Sequence, residues 1–182
     1  HGVFDNAVEL PAQTRTFMHQ LRRSGYETVL AGKMHFIGPD QLHGFEHRLT
    51  TDIYPASFDW TPDWSRGAYL NHGSSVRRLE LSGPCDWNMQ LAYDEEVMFR
   101  ATERLRSYAH KGVERPVFLC VSLTQPHDPF QITQEYWERY EGVDIPPPLT
   151  AAQPHERLHE FNRWIQVHHE RDVLDPSPEQ VE

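Results

Sequence analysis

A chain of 182 residues, 38% hydrophobic and 12% aromatic, is long enough and apolar enough for one ordinary domain with a sizeable core. Its net charge of −10 excludes a general surface for nucleic acid or anionic membrane, although a few local cations can still hold a small anion. No apolar run approaches the roughly 20 residues that cross a bilayer, and two cysteines, Cys85 and Cys120, make no disulfide framework.

In chain order, residues 1–11 read as loop. Thr14 is a candidate N-cap for a helix running to Ser24, with Phe17, Met18 and Leu21 on one face and Gln20, Arg22 and Arg23 on the other. Gly25 is the expected stop. Thr28–Ala31 is short, apolar and β-branched at two positions, as in a strand buried on both faces. Lys33 and His35 follow at once, and the loop beyond a strand end is where α/β folds place ligand chemistry. Lys33 offers a fixed positive charge to an anionic oxygen, and His35 a hydrogen bond or a proton near neutral pH.

Residues 36–89 are irregular and rich in Gly, Pro, Asp and Trp, and read as an ordered excursion over a site. Leu79-Glu80-Leu81 suggests a small strand. Met89–Lys111 reads as a long helix. Leu91, Met98, Ala101, Leu105 and Tyr108 repeat at helical spacing, Asp94, Glu95, Glu103, Arg104 and Arg106 are placed mostly outward, and Gly112 ends the run. Val117–Leu123 reads as a central parallel strand, with Cys120 a buried thiol inside it. Another histidine, His127, lies just past its end in Thr124-Gln125-Pro126-His127-Asp128-Pro129. Ile132–Tyr140 suggests a short helix, Pro146-Pro147-Pro148 an extended spacer, and Pro154–Arg171 a helix with Leu158, Phe161, Ile165 and His168 on one face. Ser177, Pro178 and Gln180 announce a further helix just before the last residue, Glu182. That ending, and a start at His1, suggest an internal fragment of a longer protein.

Gly25-Tyr26-x-Thr28-x-x-x-Gly32-Lys33-x-His35 resembles a signature of the sulfatase family, and Gly38-Pro39-Asp40-Gln41-Leu42-His43-Gly44-Phe45 resembles its choline-sulfatase-like branch. The likeness is strong over residues 1–64, weak over 65–89 and returns over 90–130. It implies an alkaline-phosphatase-like α/β fold with a central, mostly parallel sheet flanked by helices, of which residues 1–182 would be part of one catalytic domain. It implies that Lys33 binds the sulfate, that His35 contacts the nucleophile's hydroxyl, and that His127 contacts the sulfate or the leaving oxygen. A formylglycine nucleophile and a divalent cation, calcium by resemblance, are implied as cofactors. The Cys/Ser-x-Pro-x-Arg motif that yields formylglycine does not occur here, since Cys85 is followed by Asp-Trp-Asn-Met, and the family's acidic metal ligands have no matching segment. The chain is therefore expected to carry one wall of a site and to be inactive alone. Gln125 stands where choline-sulfatase-like sequences commonly carry another histidine.

The implied partner is a small sulfate ester, with choline-O-sulfate the candidate and Trp60 and Trp64 the candidate cation–π cage for its quaternary ammonium. Neither nucleic acid nor membrane is expected, a homo-oligomer is compatible, and the expected compartment is cytoplasmic. Three alternatives stand beside this reading. One is a phosphate- or phosphonate-ester hydrolase of the same superfamily, and another is a non-catalytic oxyanion-binding module. The third is a zinc peptidase through His155-Glu156-Arg157-Leu158-His159, with Glu179 as third ligand. In a chain with 12 histidines a chance match to that last pattern is roughly a one-in-twenty event.

Overall fold

The computed structural model describes residues 2–3, 6–54, 65, 75–146, 149, 153–171 and 174. Trp60, Trp64, Pro147, Pro148 and the 177–182 helix signal lie outside them. The contacts divide into two compact units, 1–61 with 88–125 and 62–87 with 126–182.

The first unit is built on β1, Glu27–Gly32. It pairs in parallel with β2, His47–Arg48, on one side and with β4, Val117–Ser122, on the other. Successive β1 side chains leave on opposite faces, so its two apolar sets feed two cores. Leu30 packs with Met18 and Phe45, beneath α1, Phe17–Arg23. Ala31 packs with Tyr93, Val97 and Ala101 of α2, Met89–Lys111. The unit is thus a parallel sheet between two helices, the α/β architecture expected from the run of helix, glycine and strand.

Thr28–Ala31 is fully buried, as its composition requires. Leu30→Ala is expected to cost about 2–5 kcal/mol, because β1 is enclosed on both faces and cannot collapse around the gap. Urea unfolding of the full-length protein checks this, and a loss under about 1 kcal/mol would remove β1 from the centre of the core.

Several sequence expectations shift. The first helix is capped by Thr16 rather than Thr14, whose N–H instead closes a turn on the Pro11 carbonyl. Phe17 stays 58% exposed and meets only the edge of Phe118. β4 is not central: among the described residues its one neighbour is β1. It reads as apolar throughout because Leu119 faces the α2 core while Phe118 and Cys120 face the α1 core. Cys120 is half-buried, and that burial pushes its thiol pKa up.

α2 matches its predicted bounds, and Gly112, at φ +81°, ends it. Its buried stripe is Tyr93, Val97 and Ala101, whereas Met98 and Leu105 are exposed. α2 carries two apolar stripes, and periodicity alone does not say which one meets the sheet. Asp94, placed outward by pattern, is buried.

The second unit holds a short parallel pair, β3 (Gly83–Pro84) with β5 (Gln131–Ile132). Leu79–Leu81 is not a strand but the end of a 3-10 helix, Val76–Leu81, opened by Ser75, whose hydroxyl accepts from the Arg77 N–H at 3.1 Å. Ile132 belongs to β5, and the helix expected there reduces to α3, Gln134–Trp137, and a 3-10 turn, Glu138–Tyr140. Pro154–Arg171 is interrupted as well. A 3-10 turn covers His155–Arg157, and α4 runs only from Glu160 to His168. No helix among the described residues is long and apolar enough to cross a membrane.

Candidate active site

At the end of β1, Gly32 has φ +120° and donates its N–H to the Thr50 hydroxyl at 2.9 Å. Only a glycine fits, since a Cβ there would lie 1.9 Å from the Ser122 carbonyl oxygen. The next N–H, that of Lys33, donates to the same Ser122 oxygen at 3.0 Å, the last rung before the chain leaves the sheet.

The turn that follows is held by a carboxylate. Asp52 Oδ2 accepts from the N–H groups of Met34 at 2.9 Å and His35 at 2.7 Å, and from Arg48 Nη2 at 3.0 Å. These two side chains are almost fully enclosed, Asp52 4% exposed and Arg48 9%. Arg48 also donates to the Thr50 carbonyl, the Gln41 carbonyl and Gln41 Oε1. The Gln41 amide in turn donates to the Phe36 and Gly38 carbonyls, both at 2.8 Å. From α2, the Tyr93 hydroxyl donates to the Thr51 carbonyl at 2.8 Å, and burial pushes that phenol's pKa up. His35 is thereby fixed at φ +54°, a left-handed conformation that a non-glycine residue keeps only when its surroundings dictate it.

Lys33 and His35 are brought together against one ring. Lys33 Nζ lies 4.7 Å from the Tyr54 centroid, and the His35 ring meets Tyr54 edge-on at 6.3 Å. His35 Nε2 is 2.9 Å from the Asn6 carbonyl. A carbonyl only accepts, so Nε2 carries the proton and Nδ1 is the acceptor of the neutral ring.

The end of β4 has a parallel device. Asp94, reaching from α2, accepts from the Thr124 N–H at 2.6 Å and the Gln125 N–H at 3.0 Å. Gln125 Nε2 donates to Gln90 Oε1 at 3.2 Å. The sequence pattern gave Asp52 no role and placed Asp94 mostly outward.

His127 belongs to the second unit. Its Nδ1 contacts the carboxylate of Asp128 and lies 3.1 Å from the Asp128 carbonyl. Arg78 Nη1 holds the other carboxylate oxygen at 2.7 Å. The His155–His159 pattern does not sit on one helix. His159 is the N-cap of α4, and its Nδ1 accepts from the Phe161 N–H at 3.2 Å, so the helical i, i+4 register of a zinc pair is missing. Among the described residues no three His, Cys, Asp or Glu side chains are grouped to hold a metal.

Comparison with known proteins adds the lineage. The sulfatase family profile matches residues 1–166. A choline-sulfatase of Rhizobium meliloti (strain 1021) is 40% identical over 98% of this chain and 36% of its own length. An arylsulfatase of Clostridium perfringens (strain 13 / Type A) is 23% identical over 74% of this chain and 31% of its own. An arylsulfatase of Klebsiella aerogenes is 26% identical over 74% and 29%. The chain spans about a third of the length of these relatives. With the strand-end turn carrying Lys33 and His35, the match over nearly the whole chain places the protein: it belongs to the sulfatase family.

Proposed function

We propose that the protein carrying this chain hydrolyses sulfate esters to an alcohol and inorganic sulfate, with choline-O-sulfate as its substrate. The observation that carries this reading is the Gly32–His35 turn. It holds a fixed ammonium and an oriented imidazole side by side past a buried parallel strand, in a chain 40% identical to a choline-sulfatase. Lys33 supplies the charge that stabilises a sulfate oxygen as the S–O bond breaks. His35, with Nε2–H held by the Asn6 carbonyl, offers Nδ1 as acceptor for the nucleophile's hydroxyl proton. His127 serves the sulfate or leaving oxygen. Trp60 and Trp64 form the cage for the quaternary ammonium.

The sulfatase family generally uses a formylglycine nucleophile and a divalent cation, calcium in this proposal. The sequence has no Cys/Ser-x-Pro-x-Arg motif and the described residues hold no three-ligand cluster, so this chain's share is anion binding and proton handling.

The test compares choline-O-sulfate, an aryl sulfate and a phosphonate monoester as substrates of the full-length protein. Choline-O-sulfate is expected to be turned over best, and Lys33→Ala to lower kcat by about 10²–10³ with the fold intact by circular dichroism. Faster turnover of the phosphonate would move the protein to the sister activity. Unchanged kcat in the variant would remove Lys33 from the chemistry.

A further inference from the structure

Resting on the sulfate-ester reading, we propose that Asp128, anchored by Arg78, is a positioning residue that sets the tautomer and orientation of His127 for proton donation to the leaving oxygen. The Asp128 carboxylate is bridged. Oδ2 takes the Arg78 guanidinium at 2.7 Å, and Oδ1 takes His127 Nδ1. Both oxygen neighbours of Nδ1, the Asp128 carboxylate and the Asp128 carbonyl, are acceptors, so Nδ1 carries hydrogen. In this proposal Nε2 is the nitrogen that serves the substrate.

Asp128 is only 19% exposed, against 36% for His127 and 50% for Arg78, so the carboxylate is the enclosed member. The anchor is itself fixed. Arg78 sits on the 3-10 helix Val76–Leu81, where Val76 donates its N–H to the His169 carbonyl at 3.0 Å and Arg77 pairs with Glu170 at 3.7 Å. A guanidinium from a tied-down element thus holds a carboxylate that holds an imidazole. Such an outer carboxylate keeps a histidine in one tautomer and one orientation.

The step balances simply. As the nucleophile's oxygen forms its bond to sulfur, the ester S–O bond breaks, the alkyl oxygen takes the electron pair, and the proton on Nε2 of the His127 imidazolium moves to that oxygen. The ring is left neutral with its Nδ1–H still on Asp128. A primary alkyl oxygen such as that of choline is a poor leaving group and depends on this proton. An aryl oxygen spreads its charge into the ring and depends on it far less. Asp128 is therefore expected to matter in proportion to the need for the acid, a pattern that a merely structural role does not produce.

In the full-length protein, Asp128→Asn is expected to lower kcat for choline-O-sulfate by about 10²-fold, with KM little changed. For 4-nitrophenyl sulfate the loss is expected to be about tenfold smaller. Arg78→Gln, at a side chain half in solvent, is expected to show the same leaving-group bias at smaller size, which keeps the test alive if the Asp128 variant folds poorly. Nitrogen-15 shifts of the His127 ring should report Nδ1–H in the unaltered protein and a mixture of tautomers in the Asp128 variant. Equal losses on both substrates, or an unchanged tautomer, would overturn the assignment. Absence of any sulfate-ester turnover in the unaltered protein would instead sink the functional reading, while the ring tautomer still decides whether Asp128 positions His127.

Discussion

Asp52→Ala is expected to destabilise the full-length protein by about 3–5 kcal/mol and to abolish most of its turnover. Asp52 answers three donors at once, the Met34 and His35 N–H groups and the Arg48 guanidinium. Alanine would leave a guanidinium 9% exposed without its counter-charge and two backbone N–H groups without an acceptor. Removing one member of an enclosed ion pair costs more than the pair itself contributes, because the survivor keeps its desolvation penalty. The Met34 and His35 N–H groups are only partly enclosed, so the loss of their acceptor falls within that range. Asp52→Asn keeps the shape and one oxygen, so an intermediate loss is expected. Urea midpoints of the two variants, with amide exchange at Met34 and His35, make the measurement. A loss under about 1 kcal/mol for alanine would mean that Arg48 and Gln41 hold the turn unaided.

Gly32→Ala is the second large effect. The added methyl would lie 1.9 Å from the Ser122 carbonyl oxygen and 2.7 Å from its carbon, both backbone atoms that cannot swing aside. The backbone at φ +120° is closed to an L side chain in any case. β1 and β4 must part at this end, and the Lys33 N–H to Ser122 rung goes with them. Overpacking of this kind costs about 1–3 kcal/mol or more, and here it falls on the strand end that aims Lys33. The expected result is a lowered melting temperature, rapid exchange of the Lys33 amide and loss of turnover. A variant with ordinary melting and activity would show that the two strands are not in this register.

The parts of the fold legible in the sequence were those decided locally. β1 announced itself through Thr28, Val29, Leu30 and Ala31 between Gly25 and Gly32, and α2 through a long run closed by Gly112. What was not legible depended on which groups each side chain touches, near or far in sequence. Asp94 looks like any outward acid on a helix until the Thr124 and Gln125 N–H groups are seen on it. Leu79-Glu80-Leu81 alternates like a strand, yet Ser75 caps a 3-10 helix across it. His155-Glu156-Arg157-Leu158-His159 has helical spacing on paper, but His159 serves as a cap instead. Lys33, His35 and His127 were singled out by their places past strand ends and by the family resemblance. The groups that hold them, Asp52, Tyr54 and Asp128, required coordinates, because carboxylates and rings reveal their work only through what they touch.

The carboxylates at the two strand ends both grip main-chain hydrogens, and Asp52 takes the Arg48 guanidinium as well. A grip on the backbone is blind to what each residue displays. The backbone course of residues 34, 35, 124 and 125 therefore depends on Asp52 and Asp94 as well as on the side chains displayed there. At Gln125 the N–H is seated on Asp94 while the side-chain amide donates to Gln90. The main chain at both strand ends thus takes its course from carboxylates that stand elsewhere in the sequence.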